Sequence, residues 1–327
     1  MKNGPHVTLQ ISLAPSDWRH AQVVLPHQLR LWRPQVDEVL LTVDERRSPG
    51  RFGGAPAWEE ACRRLAELTA GIAGARVERV RYDPASARAV AEAFCGGEPV
   101  PAKDWRGGPY YSYLFGLHAA SHDWIFHLDS DLLFGGGSTR WVQEALEVAE
   151  ADPRLVFLSP LPGPPRADHA LAQSGAEAAT VAGHAGFRFA GMSTRLFLCN
   201  RRRLVTVLGP LQRRRPSARA RALALLDGTP AWELPEVLLS TAMRRVGAWR
   251  FDFEGSAPGC WSLHPPYRTE AFYEGLPDLV RRIAAGDVPD AQRGDPDLND
   301  SMVDWAPARA RLRDDRWWRR GLRRLCL

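Results

Sequence analysis

Two carboxylates one residue apart follow an apolar run in the segment WIFHLDSDLLFGGGS, residues 124–138. In an extended chain the side chains at positions i and i+2 point to the same side, so Asp129 and Asp131 can face one cation. Hard divalent cations such as Mg²⁺ and Mn²⁺ prefer oxygen ligands and often combine one or two carboxylates with substrate phosphates. The pair therefore predicts a metal that bridges a diphosphate, with the glycines forming a turn that lets Asp131 reach the ion. The alternative is a polar strand end that binds no metal.

The elements around this pair indicate where it would lie. Short apolar runs alternate with helical patterns through the first 160 residues, which predicts an α/β sandwich with a largely parallel sheet. Ligands of such sheets lie outside the carboxyl ends of the strands, where Asp44, Asp83, Asp129 and Asp131 all fall. The predicted strands are 7–13, 38–43, 76–82, 124–129 and 155–160, and the predicted helices are 16–33, 56–73, 84–95, 109–121 and 138–150, the last capped by Ser138 or Thr139.

The second half of the chain is less regular. No internal repeat or long low-complexity linker interrupts it, so one domain with two halves is favoured over two independent domains. The predicted division is a nucleotide-binding half, 1–134, an acceptor-binding half, 135–290, and a C-terminal extension, 291–327. Its predicted elements are strands within 187–204 that enter a helix, a helix at 232–247, a strand at 248–253, and loops at 158–169 and 211–221.

Composition excludes several classes of protein. With 45% apolar and 25% charged residues, the 327-residue chain is typical of a globular protein, and its five scattered cysteines predict neither a disulfide framework nor a zinc site. Residues 309–327 hold eight Arg and two Asp, a charge of +6, so the remaining residues sum to −1. This balance argues against a nucleic-acid partner for the fold. Since we find neither an apolar run of membrane-spanning length nor a secretory signal, we expect a cytoplasmic protein.

The arginine-rich tail, residues 309–327, has its own pattern. Trp318, Leu322 and Leu325 recur at helical spacing among the arginines, which predicts a basic amphipathic helix. Such a helix would give peripheral contact with the inner face of an anionic membrane. The alternative is a terminal helix that packs its tryptophans on the domain.

The region around the carboxylate pair also resembles a known family. The segment resembles the glycosyltransferases of the GT-A fold, especially family 2: a strand enters a DxD motif, and YSYLFGLHAASHDW precedes it where that family carries an N-x-G-l-x-x-A helix. The resemblance extends in order and spacing over roughly residues 5 to 285. It implies that Asp131 ligates Mn²⁺ or Mg²⁺ on the diphosphate of a nucleotide sugar, most simply a UDP-sugar, and that Asp129 contacts the metal or the ribose.

The resemblance also implies roles for residues elsewhere. TVDERRS places Asp44 beside the base or ribose, and Asp83 has a similar role unless it only forms a turn with its proline. In inverting members an acidic pair opens a helix that ends in glycine about eleven residues later. Here Gly247 ends the helix and Glu236 opens it, so Glu236 would be the general base. Glu233 is the second candidate, and a first-turn Glu favoured by the helix dipole is the alternative.

Two residues near position 265 would complete the site for the nucleotide sugar. Metal-dependent members often bring a histidine from the C-terminal part of the fold, so His264 is the expected third metal ligand, and Arg268 is expected to meet the diphosphate. The QxxRW signature of processive enzymes is absent, which favours a single transfer.

The resemblance therefore predicts a non-processive, inverting glycosyltransferase (EC 2.4) acting on an unidentified small-molecule, glycan or lipid-linked acceptor. One alternative is a catalytically degenerate binding protein, because Tyr113-Leu114 replace an arginine-asparagine pair of the family. Another is a sugar-phosphate nucleotidyltransferase, although ISLAPSDW lacks the glycine-rich phosphate loop of those enzymes.

Overall fold

The computed structural model describes residues 4–48 and 57–314. Its central feature is a mixed sheet with the strand order β3-β2-β1-β4-β9-β6-β10-β8-β7. Along this path only β9 and β8 run against the other seven strands, so the predicted, mostly parallel sheet is confirmed. The strands are β1 Val7–Leu13, β2 Glu38–Val43, β3 Ala75–Arg79, β4 Trp124–Asp129, β5 Leu133–Gly135, β6 Leu155–Pro162, β7 Glu177–Val181, β8 His184–Phe189, β9 Leu196–Asn200, β10 Trp249–Phe253 and β11 Trp261–Leu263.

Helices cover both faces of this sheet. Alternate residues of β2 belong to two different cores: Leu41 lies in the cluster that includes residues of α1, α2 and α5, whereas the adjacent Leu40 lies in the cluster that includes residues of α3, α4, α6 and α8. The predicted α/β/α sandwich is therefore confirmed. The helices are α1 Trp18–Trp32, α2 Trp58–Ala70, α3 Pro84–Cys95, α4 Tyr111–Ala119, α5 Trp141–Ala149, α6 Arg201–Leu208, α7 Ala218–Asp227, α8 Pro235–Val246, α9 Glu270–Ala284 and α10 Ala306–Asp314.

The glycines after the carboxylate pair serve a packing role. A Cβ on Gly135 would lie 2.0 Å from Cζ2 of Trp261, so only glycine lets β5 pair with β11 at this point. That antiparallel pairing sets Leu133 opposite Leu263. Since Asp131 precedes β5 and His264 follows β11, the pairing brings these two residues together. Gly135 therefore helps to position Asp131 by allowing the β5–β11 pair, and the turn that lets Asp131 reach an ion stays a prediction.

The C-terminal extension packs on the rest of the protein as far as it is described. Trp305 is 1% exposed and lies with Phe272 of α9 in a third apolar cluster. The predicted basic helix falls mainly on residues 315–327, including Trp318, Leu322 and Leu325, which lie outside the described residues. In the described ranges, no helix has both the length and the apolar character needed to cross a bilayer.

The predicted helix positions hold with two exceptions. The segment 138–150 begins its helix only at Trp141, with no side-chain cap, so the proposed caps Ser138 and Thr139 are wrong. The predicted loop at 211–221 contains the start of α7, which Ser217 caps by accepting a hydrogen bond from the amide of Ala220. Strand β7 has no counterpart among the predicted elements, whereas the end of β8 falls in the segment 187–204 that was predicted to contain strands.

One ion pair is buried inside the sheet. Arg250 and Asp252 lie on the same face of β10, 3% and 2% exposed, with Nε 2.8 Å from Oδ1. The guanidinium carbon also lies 4.3 Å from the ring centroid of Phe189. Burial raises the pKa of Asp252 to about 6, although Arg250 opposes that rise.

Candidate functional site

A cleft opens where β1, β2 and β4 end, and we call it the carboxyl-end cleft. Its volume is about 370 Å³. Parallel strands β1, β2 and β4 deliver polar residues to this one edge because their carboxyl ends coincide. The charged and phenolic side chains that line it are Asp17, Asp44, Arg46, Lys103, Tyr113, Asp129, Asp131, Arg195, Glu236, His264 and Arg268.

Asp131 lies at the centre of a charged cluster. Its side chain is 6% exposed, and Oδ2 is ion-paired with Arg268 and lies 3.6 Å from Nε2 of His264. Burial alone would raise the pKa of Asp131, but the charges of Arg268, His264 and other cations lower it to about 2. The carboxylate is therefore ionised at neutral pH. Its second oxygen, Oδ1, is buried without a hydrogen-bond partner among the described residues.

His264 is held from behind by a carboxylate. Its Nδ1 lies 2.9 Å from Oδ1 of Asp297, and the same oxygen lies 3.3 Å from Nη1 of Arg195. A backbone bridge between positions 264 and 297 fixes this contact, because the amide of His264 donates to Pro296 and the carbonyl accepts from Leu298. A carboxylate that binds one ring nitrogen leaves the other to face a metal, which is the arrangement common to metal-binding histidines.

Asp129 points into the same cleft, and Tyr113 shields it. The phenol of Tyr113 donates to its carboxylate, with distances of 3.2 and 3.3 Å to the two oxygens, and Nε2 of His127 lies 3.7 Å away. Burial raises the pKa of Asp129, while His127 acts in the opposite direction. The amide of Asp129 donates to the carbonyl of Arg195 at 2.8 Å, which ties the strand end to β9.

The residues present fit a divalent cation that is also held by its substrate. Among residues 4–48 and 57–314, no three His, Cys, Asp or Glu side chains are already grouped as a complete metal site. Asp131 nevertheless offers Oδ1 as an unpartnered buried oxygen, and His264 offers an imidazole nitrogen 3.6 Å from the other oxygen of the same carboxylate. Mg²⁺ and Mn²⁺ commonly take few protein ligands and complete their coordination with phosphates and water, so a partial set suits this chemistry.

The opposite end of the cleft contains a buried ion pair. Lys103 donates to Oδ2 of Asp44 at 2.7 Å, and both side chains are 7% exposed. Oδ1 of Asp44 accepts from the hydroxyl of Tyr82 at 3.1 Å and from the amide of Arg46 at 3.0 Å. Asp44 therefore lies in the cleft as the sequence predicts, but its carboxylate is already well hydrogen-bonded within the protein.

Glu236 lies in the first turn of α8 and faces the cleft. Its Oε2 accepts a hydrogen bond of 3.3 Å from the hydroxyl of Thr194. Burial raises the pKa of Glu236, and the Thr194 hydrogen bond and the charge of Arg195 oppose this rise. A carboxylate with a raised pKa is a better proton acceptor at neutral pH than an exposed one.

Two predicted site residues lie elsewhere. Asp83 is exposed at the start of α3, where it caps the helix by accepting from the amide of Ser86 at 3.0 Å and from its hydroxyl at 2.7 Å. This is the structural turn that the sequence left open as the alternative. Glu233 does not line the carboxyl-end cleft, and its Oε1 accepts from the amide of Leu234 at 3.2 Å.

Sequence reasoning missed several residues that line the cleft or hold its side chains in place. Asp297, Lys103 and Arg195 have no distinguishing motif, and Asp297 is 33 positions from its partner His264. Asp17 accepts from the hydroxyl of Ser130 at 3.3 Å and so joins the first strand's loop to the carboxylate pair. The sequence indicates a role for Asp17 only through its position in the segment that follows β1.

Comparisons with known proteins give distant structural likenesses. No family model matches the chain, and no curated protein matches it. It is similar to glucosyl-3-phosphoglycerate synthase from Mycobacterium tuberculosis in complex with Mn²⁺, UDP and glucosyl-3-phosphoglycerate, with 13% identity over 90% of this chain and 82% of that one, and a TM-score of 0.37. It is also similar to S. aureus TarS in complex with UDP-GlcNAc, with 10% identity over 88% and 68% of the chains and a TM-score of 0.37.

A third similar structure is the mannosyltransferase PcManGT from Pyrobaculum calidifontis in complex with GDP-Man and Mn²⁺. Here the identity is 16% over 64% of this chain and 48% of that one, and the TM-score is 0.32. These likenesses are distant, so the function of the carboxyl-end cleft has to be argued from its own residues.

Proposed function

We propose that this protein is a metal-dependent glycosyltransferase, which moves a sugar from a nucleoside-diphosphate sugar to an acceptor hydroxyl in a single inverting transfer. The observation that carries the proposal is the convergence of Asp131 and His264, with Glu236 lining the same cleft. The first two suit a cation on a diphosphate, and the third suits an acceptor proton. This is also the activity that the sequence resemblance implies.

The donor would lie along the cleft between its two charged ends. Asp131 and His264 would hold Mn²⁺ or Mg²⁺, with Asp129 beside them, and the bound metal would neutralise charge on the departing diphosphate. Arg268, which already contacts Asp131, would meet the phosphates as a fixed cation. The end formed by Asp44 and Lys103 would take the ribose or base, for which uridine is the first candidate.

Glu236 would act on the acceptor. As the acceptor oxygen forms its bond to the anomeric carbon, the bond from that carbon to the diphosphate oxygen breaks and the electron pair leaves with the nucleotide. The hydroxyl proton passes to Glu236, whose raised pKa suits it to receive one. Attack opposite to the departing group inverts the anomeric configuration.

The donor can be identified by calorimetry with UDP-, GDP- and dTDP-sugars, each measured with Mn²⁺ and with a chelator. We expect one nucleotide sugar to bind, and to bind more tightly when Mn²⁺ is present. If none of the three binds in the presence of metal, the proposed function is wrong.

A second function is favoured by one contact. Arg268 is already ion-paired with Asp131, so the central carboxylate has a cation without any metal. A catalytically degenerate protein that binds nucleotide sugars would use such a fixed pair. The two functions can be separated by measuring slow hydrolysis of the bound nucleotide sugar. A transferase can use water as the acceptor and releases the nucleotide, whereas the degenerate protein leaves the nucleotide sugar intact.

A further inference from the structure

Helix α7 has an exposed apolar strip with arginines on both sides. At 100° per residue, Ala218, Ala222 and Leu225 lie together on one face, with Arg221 on one edge and Arg219 on the other. All five residues are exposed, and the side chain of Leu225 is 83% exposed. The opposite face is buried through Ala220 and Ala224. We call the five exposed residues the α7 surface.

The surroundings of the α7 surface are strongly basic. Residues 211–226 contain five arginines and no Asp or Glu, and Asp227 ends the helix. Just before the helix, the exposed Arg214 donates to the hydroxyl of Thr241 at 2.9 Å, and the exposed Arg215 donates to the carbonyl of Ala231 at 3.2 Å. Both hydrogen bonds are therefore to uncharged groups. An anionic partner would complement this part of the protein.

A short segment of chain connects the α7 surface to the helix that bears Glu236. Seven residues separate the end of α7 from the start of α8, which bears Glu236. In that connection the hydroxyl of Thr229 donates to the carbonyl of Trp105 at 2.6 Å, and the amide of Trp105 donates to the carbonyl of Trp232 at 2.9 Å. The connection is therefore fixed to the loop that contains Lys103 and Gly107, both of which line the cleft.

We propose that the α7 surface docks on an anionic lipid bilayer. Leu225 inserts at the level of the headgroups, and Arg219 and Arg221 contact acidic headgroups on either side. An exposed leucine between two arginines favours a bilayer over a soluble polyanion, because a polyanion offers no apolar layer. Docking in this way brings the connection between α7 and α8, which leads to Glu236, to the membrane. If the proposed function holds, a lipid-linked acceptor is then the substrate class best placed to reach Glu236.

Vesicle flotation of the full chain tests this proposal. Vesicles of phosphatidylcholine alone are compared with vesicles in which about a third of the lipid is phosphatidylglycerol. We expect binding only to the anionic vesicles, and a loss of at least about tenfold in partitioning for the triple variant Arg219→Gln, Arg221→Gln, Leu225→Gln. The matched control is Arg33→Gln, Arg140→Gln, Val77→Gln, which removes the same charge and one exposed apolar side chain elsewhere. This control should float like the parent chain.

A chain ending at Pro307 separates the α7 surface from the arginine-rich tail. If that chain floats with anionic vesicles and the triple variant does not, the α7 surface is the docking site. If the truncated chain loses binding while the triple variant keeps it, the proposal is wrong. Equal binding to neutral and anionic vesicles would overturn it as well. Thermal unfolding midpoints of all variants exclude a general loss of fold, and none of these measurements depends on glycosyl transfer.

Discussion

The Nε2 atom of His264 lies 3.6 Å from Oδ2 of Asp131, although 132 residues separate them in the chain. The antiparallel pairing of β5 with β11 brings them to this distance, and Asp297 fixes the orientation of the imidazole. A carboxylate oxygen and an imidazole nitrogen that converge in this way form the strongest candidate for a metal site within the described residues.

Replacing Asp131 with Asn should remove the metal dependence of nucleotide binding. The substitution keeps the size of the side chain but removes the charge that holds a cation and pairs with Arg268. We expect Mn²⁺ to strengthen binding of the preferred nucleotide sugar in the parent chain, and this gain, about a hundredfold or more, to disappear in the variant. Calorimetry with Mn²⁺ and with EDTA measures it. Asp278→Asn, on the exposed side of α9, is the control and should retain the full gain.

Asp297 should affect metal affinity without touching the metal. Removing the carboxylate behind a metal-binding histidine typically costs about 10- to 100-fold in affinity, so we expect Asp297→Ala to weaken Mn²⁺ binding in this range. Titration of free Mn²⁺ by electron paramagnetic resonance measures the loss. Because Asp297 also contacts Arg195, the variant Arg195→Gln serves as control. If both variants weaken Mn²⁺ equally, Asp297 does not act through His264.

Glu236→Gln should separate binding from transfer. The amide cannot accept the acceptor proton, so we expect transfer to fall by about 10²- to 10⁴-fold while the donor binds with unchanged affinity. Rates come from release of the nucleotide and affinities from calorimetry. Glu233→Gln, which alters a carboxylate outside the cleft, should transfer at the parent rate. Normal turnover by Glu236→Gln would remove Glu236 from the mechanism.

The pH profile should report the environment of Glu236. Because burial raises its pKa and only the ionised form accepts a proton, activity should fall with decreasing pH at a higher pH than an exposed glutamate would give. The hydroxyl of Thr194 stabilises the ionised form, so Thr194→Val should move this acidic limb further upward. Thr241→Val makes the same change on α8, where the hydroxyl donates to the carbonyl of Val237, and should leave the limb in place. A downward shift in Thr194→Val contradicts the assignment.

The buried pair in β10 should make stability depend on pH. The pKa of Asp252 is raised to about 6, so the native state holds its proton more tightly than the unfolded chain does. The resulting stabilisation is complete at a pH below the unfolded pKa of 3.8 and is lost as pH rises through 6. Between pH 4 and pH 7, the free energy of unfolding of the parent chain should fall by about 2 kcal/mol more than that of the variant Asp252→Asn. Urea unfolding at each pH measures both free energies. If the free energy of unfolding changes with pH in the same way in both proteins, the pKa of Asp252 is not raised.

Local patterns were sufficient for most of the first half of the fold. The apolar runs that form β1, β2 and β4 and the amphipathic segments that form α1 and α3 are each defined by residues close in sequence, so their type and position could be predicted. Strand β7 could not be predicted, because its residues are all exposed or half-exposed and show no clear alternation, and only the end of β8 lay in a predicted strand segment. Helix α7 was missed because its arginines and alanines resemble those of a solvated loop.

By itself, the sequence determined that Asp44, Asp129 and Asp131 would meet at one sheet edge, since parallel strands align their carboxyl ends. It also determined that a glutamate would open α8 and that a histidine would lie in a proline-rich loop near the end of the fold. Only the tertiary structure decided which polar groups are in contact. Pairing of β5 with β11 set His264 beside Asp131, the chain after α9 returned Asp297 to His264, and Lys103 reached Asp44 across 59 positions. Such contacts depend on long-range packing and on the burial that it produces, and no local pattern of residues encodes either one.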